Sequence, residues 1–257
     1  MTESIDSLPH TLLLDICVVC PGASKYNHGL LRNYCSKYNW SLLYTKDDKL
    51  SLAQNIAIKI HANAEYIYKI DEDIFIGQGY FDGLLDTYNS ALSTSIMKIG
   101  FVAPLLNVNG FSYLEFLKEY GLVEEYTELF GKPLSACIGE PIHLNGDSAK
   151  YIWEHCKDFD LVVEHFSNKE SGYLICPHRF SIGAILFTRK FWEDIGYFDV
   201  GMVGVMGLEE KQVCDYCMDN SCAIVVSQNV FAGHFGFYTQ KETMKEYFYS
   251  NGGRLTR

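Results

Sequence analysis

The sequence predicts an α/β fold in which a mostly parallel central sheet is flanked by helices, and three observations predict it. Apolar, β-rich runs alternate with segments of helical periodicity through roughly the first 105 residues. Several runs stop abruptly at Pro-Gly or acidic turns, as buried parallel strands do where they open into loops. The chain is also long enough, at 257 residues, to bury a large core, and its 48% hydrophobic and 21% charged content excludes a disordered or fibrous protein.

The elements follow in order. Leu12 to Val19 is apolar except for Asp15 and closes at Pro21-Gly22, which reads as a central strand. Leu30, Leu31, Tyr34, Cys35 and Tyr38 recur at helical spacing, Ser41 to Tyr44 reads as a short strand, and Ala53, Ile56, Ala57 and Ile60 mark a second helix. Tyr66 to Ile70 is β-rich and ends at Asp71-Glu72-Asp73. Tyr80, Phe81, Leu84, Leu85, Tyr88 and Leu92 give an amphipathic helix, and Gly100 to Pro104 another strand. From Asn107 to His178 the alternation loosens into short helical patterns separated by turns, which reads as a largely helical insertion shaping one side of a cleft. Regular structure returns with strand Ser181 to Phe187, a helix from Arg189, a Gly-rich loop Gly201 to Gly207, helix Leu208 to Met218 and strand Ala223 to Val226. With no repeat or flexible linker, residues 1–257 read as one domain.

Charge and cysteine content narrow the function. The 32 acidic against 21 basic residues leave a net charge of -11, which repels nucleic-acid backbones and anionic lipid, so a phosphate ligand would call for a metal. No apolar run approaches the roughly 20 residues that span a bilayer, and Met1 to Pro9 lacks the basic start and apolar stretch of a signal segment. A cytoplasmic protein is therefore expected. Of nine cysteines, Cys17 with Cys20 and Cys214 with Cys217 have zinc-like spacing. The first pair lies on a strand, where neighbours alternate in direction, and the second on a helical pattern, so buried free thiols in a reducing compartment are the better reading.

Three features could carry chemistry. Asp71 and Asp73, one residue apart at a strand end with Glu72 between them, point to the crevice where α/β sheets bind ligands. Such hard oxygen ligands suit Mg2+ or Mn2+ completed by substrate phosphates, although an acidic turn after a strand is common. Glu209-Glu210 follows the Gly204 to Gly207 loop at a helix start, where a carboxylate could serve as general base or merely answer the helix dipole. His234, between Gly233 and Phe235-Gly236, could be a third metal ligand or an ordinary loop residue.

With these features in this order, the chain resembles the GT-A glycosyltransferases, nearest the family-2 type that builds bacterial polysaccharides. The matching stretches are AEYIYKIDEDIFI, SIGAILFTRKFWEDIGYFDVGMVGVMGLEE and FAGHFG. The resemblance implies a Rossmann-like GT-A sheet, with 11–106 as the nucleotide-sugar-binding half and 107–257 as the acceptor-binding and catalytic half. It implies that Asp71, Asp73 and His234 hold Mn2+ or Mg2+ on a nucleotide-diphosphate sugar. Pro21, Asn55, Glu72 and Gly183 would line that donor's pocket. Glu210, or else Glu209, would deprotonate the acceptor hydroxyl in an inverting hexosyl- or N-acetylhexosaminyl-transfer. The acceptor would be a carbohydrate or lipid-linked glycan in cell-surface polysaccharide synthesis, with at most peripheral membrane contact and no nucleic acid. Trp192 and Phe198 match positions that brace the acceptor side, although rings of this size more often pack in a core, and Tyr113, Phe116, Tyr120 and Trp153 would form the acceptor wall. Two departures stand out: the acidic pair is Glu-Glu rather than Glu-Asp, and Tyr44-Thr45 replaces an acidic residue that reads the nucleobase. The alternatives are a sugar nucleotidyltransferase, whose usual Gly-rich basic loop is missing after the first strand, and a non-catalytic carbohydrate-binding module.

Overall fold

In a computed structural model, which describes residues 12–22, 25–201 and 207–252, the strands divide between two sheets. Strands β1 (Cys17–Pro21) and β2 (Ser41–Thr45) pair in parallel, joined through helix α1 (Lys25–Tyr38), with α2 (Leu50–Ile60) packed against them. The second sheet has six strands. Its order is β3 (Tyr66–Ile70), β7 (Ala184–Thr188), β5 (Lys98–Leu106), β8 (Cys222–His234) and β4 (Ile74–Ile76), with β6 (Tyr173–Ile175) also on β8.

Only β5 and β8 run parallel in this sheet; the β3–β7, β5–β7, β4–β8 and β6–β8 pairings are antiparallel. The sheet is mixed and mostly antiparallel, which overturns the expected mostly parallel, Rossmann-like GT-A sheet. The physical reason lies in what periodicity reports. A run of β-branched and aromatic residues marks a strand, but its direction depends on its partner, and a crossover helix guarantees a parallel neighbour only if the next strand pairs with the previous one. That holds for β1 and β2. Strand β3 instead leaves α2 for the other sheet, where it meets β7, a strand delivered in the opposite direction after the helical segment.

Two apolar cores flank the sheet. One gathers Leu84 and Ala91 of α3 (Tyr80–Thr94), Phe191 and Trp192 of α9 (Arg189–Asp194), and Val213 and Cys217 of α10 (Leu208–Asp219) onto Phe101, Leu186 and Val225. The other is built by the segment between β5 and β6, with α4 (Tyr113–Glu119), α5 (Val123–Phe130), α6 (Pro141–Leu144), α7 (Gly146–Glu154) and α8 (Phe159–Ser167), closed by α11 (Lys241–Ser250). Tyr113, Phe116 and Trp153 are fully buried there and Tyr120 packs on them, so the expected acceptor wall is core. Large rings supply more apolar area than any other side chains, and a helical layer needs that area to stay on the sheet. Trp192 and Phe198 are buried, in line with their reading as packing residues. Among the described residues no helix is long and apolar enough to cross a membrane.

The pairings also fix which strand ends meet. Register sets Ile70 opposite Ala184, Leu106 beside Ala232, and Ile74 opposite His234. The carboxyl ends of β3, β5 and β8 therefore share one edge with the starts of β4 and β7.

Candidate functional site

The link Asp71-Glu72-Asp73 joins β3 to β4, the first and last strands of the sheet order, along this edge. Two backbone hydrogen bonds pin it: Asp71 N–H donates to the Gly183 carbonyl at 2.8 Å, and Phe235 N–H donates to the Asp73 carbonyl at 2.9 Å. Each carboxylate then meets a basic side chain. Lys69 Nζ lies 2.5 Å from Asp71 Oδ1 and also donates to the Ile182 carbonyl at 3.0 Å. His234 Nε2 lies 3.5 Å from Asp73 Oδ2, while the other ring nitrogen, Nδ1, sits 2.7 Å from the Val108 carbonyl. A carbonyl can only accept, so Nδ1 carries a proton, and Nε2 must gain a second one to donate to Asp73.

These contacts bias protonation. Burial works to lower the His234 pKa, but the hydrogen bond and charge of Asp73, with the Val108 carbonyl, raise it above the ordinary histidine value. Burial likewise works to raise Asp73, yet His234 holds it below the usual carboxylate value. Asp71 differs: burial pushes its carboxyl up against the pull of Lys69. Glu72 is exposed on the same link.

The acidic pair divides. Gly207 precedes α10 in the left-handed region, φ 78°, which a glycine adopts without strain, and turns the chain into the helix. Ser51 of α2 donates to Glu209 Oε2 at 3.3 Å. Glu210 Oε1 faces the other way and accepts from Arg179 Nε at 2.6 Å, with Arg179 Nη2 donating to the Gly207 carbonyl at 3.2 Å. Burial nevertheless raises the Glu210 pKa, outweighing Arg179. The Ile182 carbonyl accepts from Lys69. Gly183, next along, serves Asp71 through its carbonyl.

The structure therefore brings Asp71, Asp73, Glu210, Gly183 and His234 to one edge. Asn55 is elsewhere engaged. Its Nδ2 donates to the Phe198 carbonyl at 2.8 Å, while its Oδ1 accepts from Trp192 Nε1 at 2.9 Å and Phe198 N–H at 3.0 Å. It clamps α2 to the turn after α9. Pro21 ends β1 beside a cleft of about 330 Å³ lined by Gly22, His28, Tyr44, Thr45 and Lys46, in which the His28 and Tyr44 rings stack with centroids 3.4 Å apart. Burial and then the Glu72 carboxylate push the Cys20 thiol up. Gly204 and most of its loop lie outside the described residues.

Sequence reasoning missed Lys69, Arg179 and His143. His143 is buried, its Nδ1 has no hydrogen-bond partner among the described residues, and it lines a cavity of about 20 Å³ with Arg179, Ser181 and Glu210. That volume holds about one water molecule.

The donor set does not fit a divalent ion. Asp71 is closed by Lys69, and a metal would have to displace that ammonium and compete with a proton on His234, whose pKa is raised. Among the described residues no group of three or more His, Cys, Asp or Glu side chains is placed to hold a metal. In this structure Asp71 and Asp73 face Lys69 and His234 respectively. No protein-family model matches the chain, and no curated protein matches it significantly. The mixed, mostly antiparallel sheet, with no three-ligand cluster among the described residues, sets aside the metal-dependent GT-A glycosyltransferase that the motifs resembled.

Proposed function

We propose that the chain is an enzyme that binds a phosphorylated, hydroxyl-rich small molecule of the nucleotide-sugar class along this edge and moves a proton at Glu210. One observation carries the reading: carboxylates biased in opposite directions meet at the same edge, Asp73 kept ionised by His234 and Glu210 pushed toward its protonated form by burial. Groups whose surroundings separate their protonation in this way are candidates for distinct roles, one accepting hydrogen bonds from substrate hydroxyls and the other exchanging a proton. The cleft at β1 and β2 supports the nucleotide part, since it offers stacked His28 and Tyr44 rings beside the Lys46 ammonium. All nine cysteines are free thiols, which supports a reducing, cytoplasmic setting.

Calorimetric titration with a panel of nucleotide-diphosphate sugars, each with and without Mn2+, tests the reading. We expect saturable binding of at least one member below about 1 mM, the weak end of substrate affinities. Glu210→Gln should retain that binding and lose roughly a hundredfold in consumption of the bound ligand, the scale of removing a positioned acid or base. Absence of binding across the panel, or an equal loss of binding and turnover in Glu210→Gln, refutes it.

A further inference from the structure

Lys69 is the least expected residue of the edge. It sits within β3, its side chain is only 6% exposed, and lysines are almost never so buried without a partner. Its ammonium contacts two acceptors, Asp71 Oδ1 at 2.5 Å and the Ile182 carbonyl at 3.0 Å. Both acceptors belong to segments that carry the site: Asp71 starts the acidic link, and Ile182 precedes Gly183, whose carbonyl accepts from the Asp71 N–H. An ammonium has three donors, so one remains beyond these two contacts.

We propose that Lys69 is the resident cation of this edge: it closes Asp71, keeps divalent ions off the carboxylates, and lets a phosphorylated ligand bind without a metal. The proposal rests on the reading of the site as one for a phosphorylated ligand. Its physical basis does not. A divalent ion approaching Asp71 would meet a positive charge already in contact with the carboxylate, and displacing it would leave a buried ammonium without its counterion. A divalent ion needs at least one or two free carboxylates, and here the better buried of the pair is engaged.

Mn2+ titration followed by electron paramagnetic resonance at about pH 8, where the carboxylates are ionised, tests this without any other ligand. Wild-type protein should bind Mn2+ no more tightly than about 1 mM, the range of weak carboxylate sites. Lys69→Met should tighten binding roughly a hundredfold by removing the competing charge, and Lys69→Arg, which keeps that charge, should not. Thermal melts establish that each variant is folded. Should Lys69→Met fail to fold, the wild-type titration still decides, since micromolar Mn2+ binding abolished by Asp71→Asn overturns the proposal. Unchanged Mn2+ affinity in folded Lys69→Met overturns it equally. A last arm uses UDP and GDP as probes: wild-type affinity should be the same in chelator as in Mn2+, and a tenfold or greater loss in chelator counts against Lys69. If neither these nor any nucleotide sugar binds, the functional reading fails while the Mn2+ arms continue to judge Lys69.

Discussion

Asn55 offers the sharpest separation between a ligand-binding and a structural residue. Its amide makes three hydrogen bonds, to Trp192 Nε1 and to the N–H and carbonyl of Phe198, all in buried surroundings. Asn55→Ala leaves these three partners unpaired at once. An abandoned buried donor or acceptor costs about 1–3 kcal/mol, so even with water replacing part of the loss the variant should be destabilised by about 3 kcal/mol or more. For a domain of this size about 2–4 °C of melting temperature is lost per kcal/mol, which gives a fall of roughly 6–12 °C. Trp192→Phe removes one donor while Asn55 Oδ1 keeps the Phe198 N–H, so it should cost only about 1 kcal/mol from the hydrogen bond. The two changes share a partner, and together they should cost less than their sum. Calorimetric or circular-dichroism melts measure all three variants. A melting temperature within about 2 °C of wild type for Asn55→Ala, together with weakened nucleotide binding, would refute the clamp and restore Asn55 to a ligand pocket.

The remaining predictions concern the edge and its packing. The raised His234 pKa contributes stability that is complete below the ordinary value of 6.5 and is lost as pH rises through the folded value. The depressed Asp73 pKa contributes stability present above 3.8 and lost only as pH falls through its lower folded value. The melting-temperature gap between wild type and Asp73→Asn should therefore be widest at about pH 5–6 and narrow toward pH 8, and a gap that widens over that range contradicts the pair. Arg179→Met removes the charge that opposes burial at Glu210, so the acid limb of the pH–activity profile should move to higher pH; no movement would mean the guanidinium does not act on Glu210. A methyl group at Gly233 would come within 2.5 Å of Trp153 Cη2, a ring held in place by its N–H bond to the His234 carbonyl. Gly233→Ala should thus cost about 1–3 kcal/mol by overpacking, read as a lower melting temperature, and a neutral effect would mean that the ring can retreat.

Periodicity located the segments better than it ordered them. Helices over Tyr80–Thr94 and Leu208–Asp219 and strands over Tyr66–Ile70 and Ala184–Thr188 stand close to where their apolar patterns put them. Strands β4 and β6, each three residues long, escaped, and β8 was found only in part. Ile74–Ile76 is three residues long and follows an acidic turn, too short for alternation to register. Strand β8 extends well past the apolar run Ala223 to Val226, because Ser227, Gln228 and Asn229 interrupt the pattern where β8 shifts register against β5, from the Ala103–Val226 pair to Leu105–Phe231. The parallel reading failed for a different reason: direction is a property of pairs far apart in the chain, and no local pattern carries it.

The site was legible as a set of acids and illegible as a set of pairs. Asp71, Asp73, Glu210 and His234 were singled out by position at strand ends and a helix start, and the mixed sheet brings them to one edge through register rather than through parallel topology. What turned them from a metal centre into something else was their counterions. Lys69 was within reach of sequence reasoning, because residues two apart near a strand end project to the same side, and that rule puts Lys69 beside Asp71. Arg179 was not, since nothing local relates it to Glu210. Three carboxylates, each set against its own basic side chain, cost less to hold in a half-buried edge than three bare ones would, because an unpaired charge there shifts its pKa and neutralises. An edge built this way keeps its charges apart and directed before any ligand arrives, so recognition falls to hydrogen bonds made by paired ions rather than to an ion shared between protein and ligand.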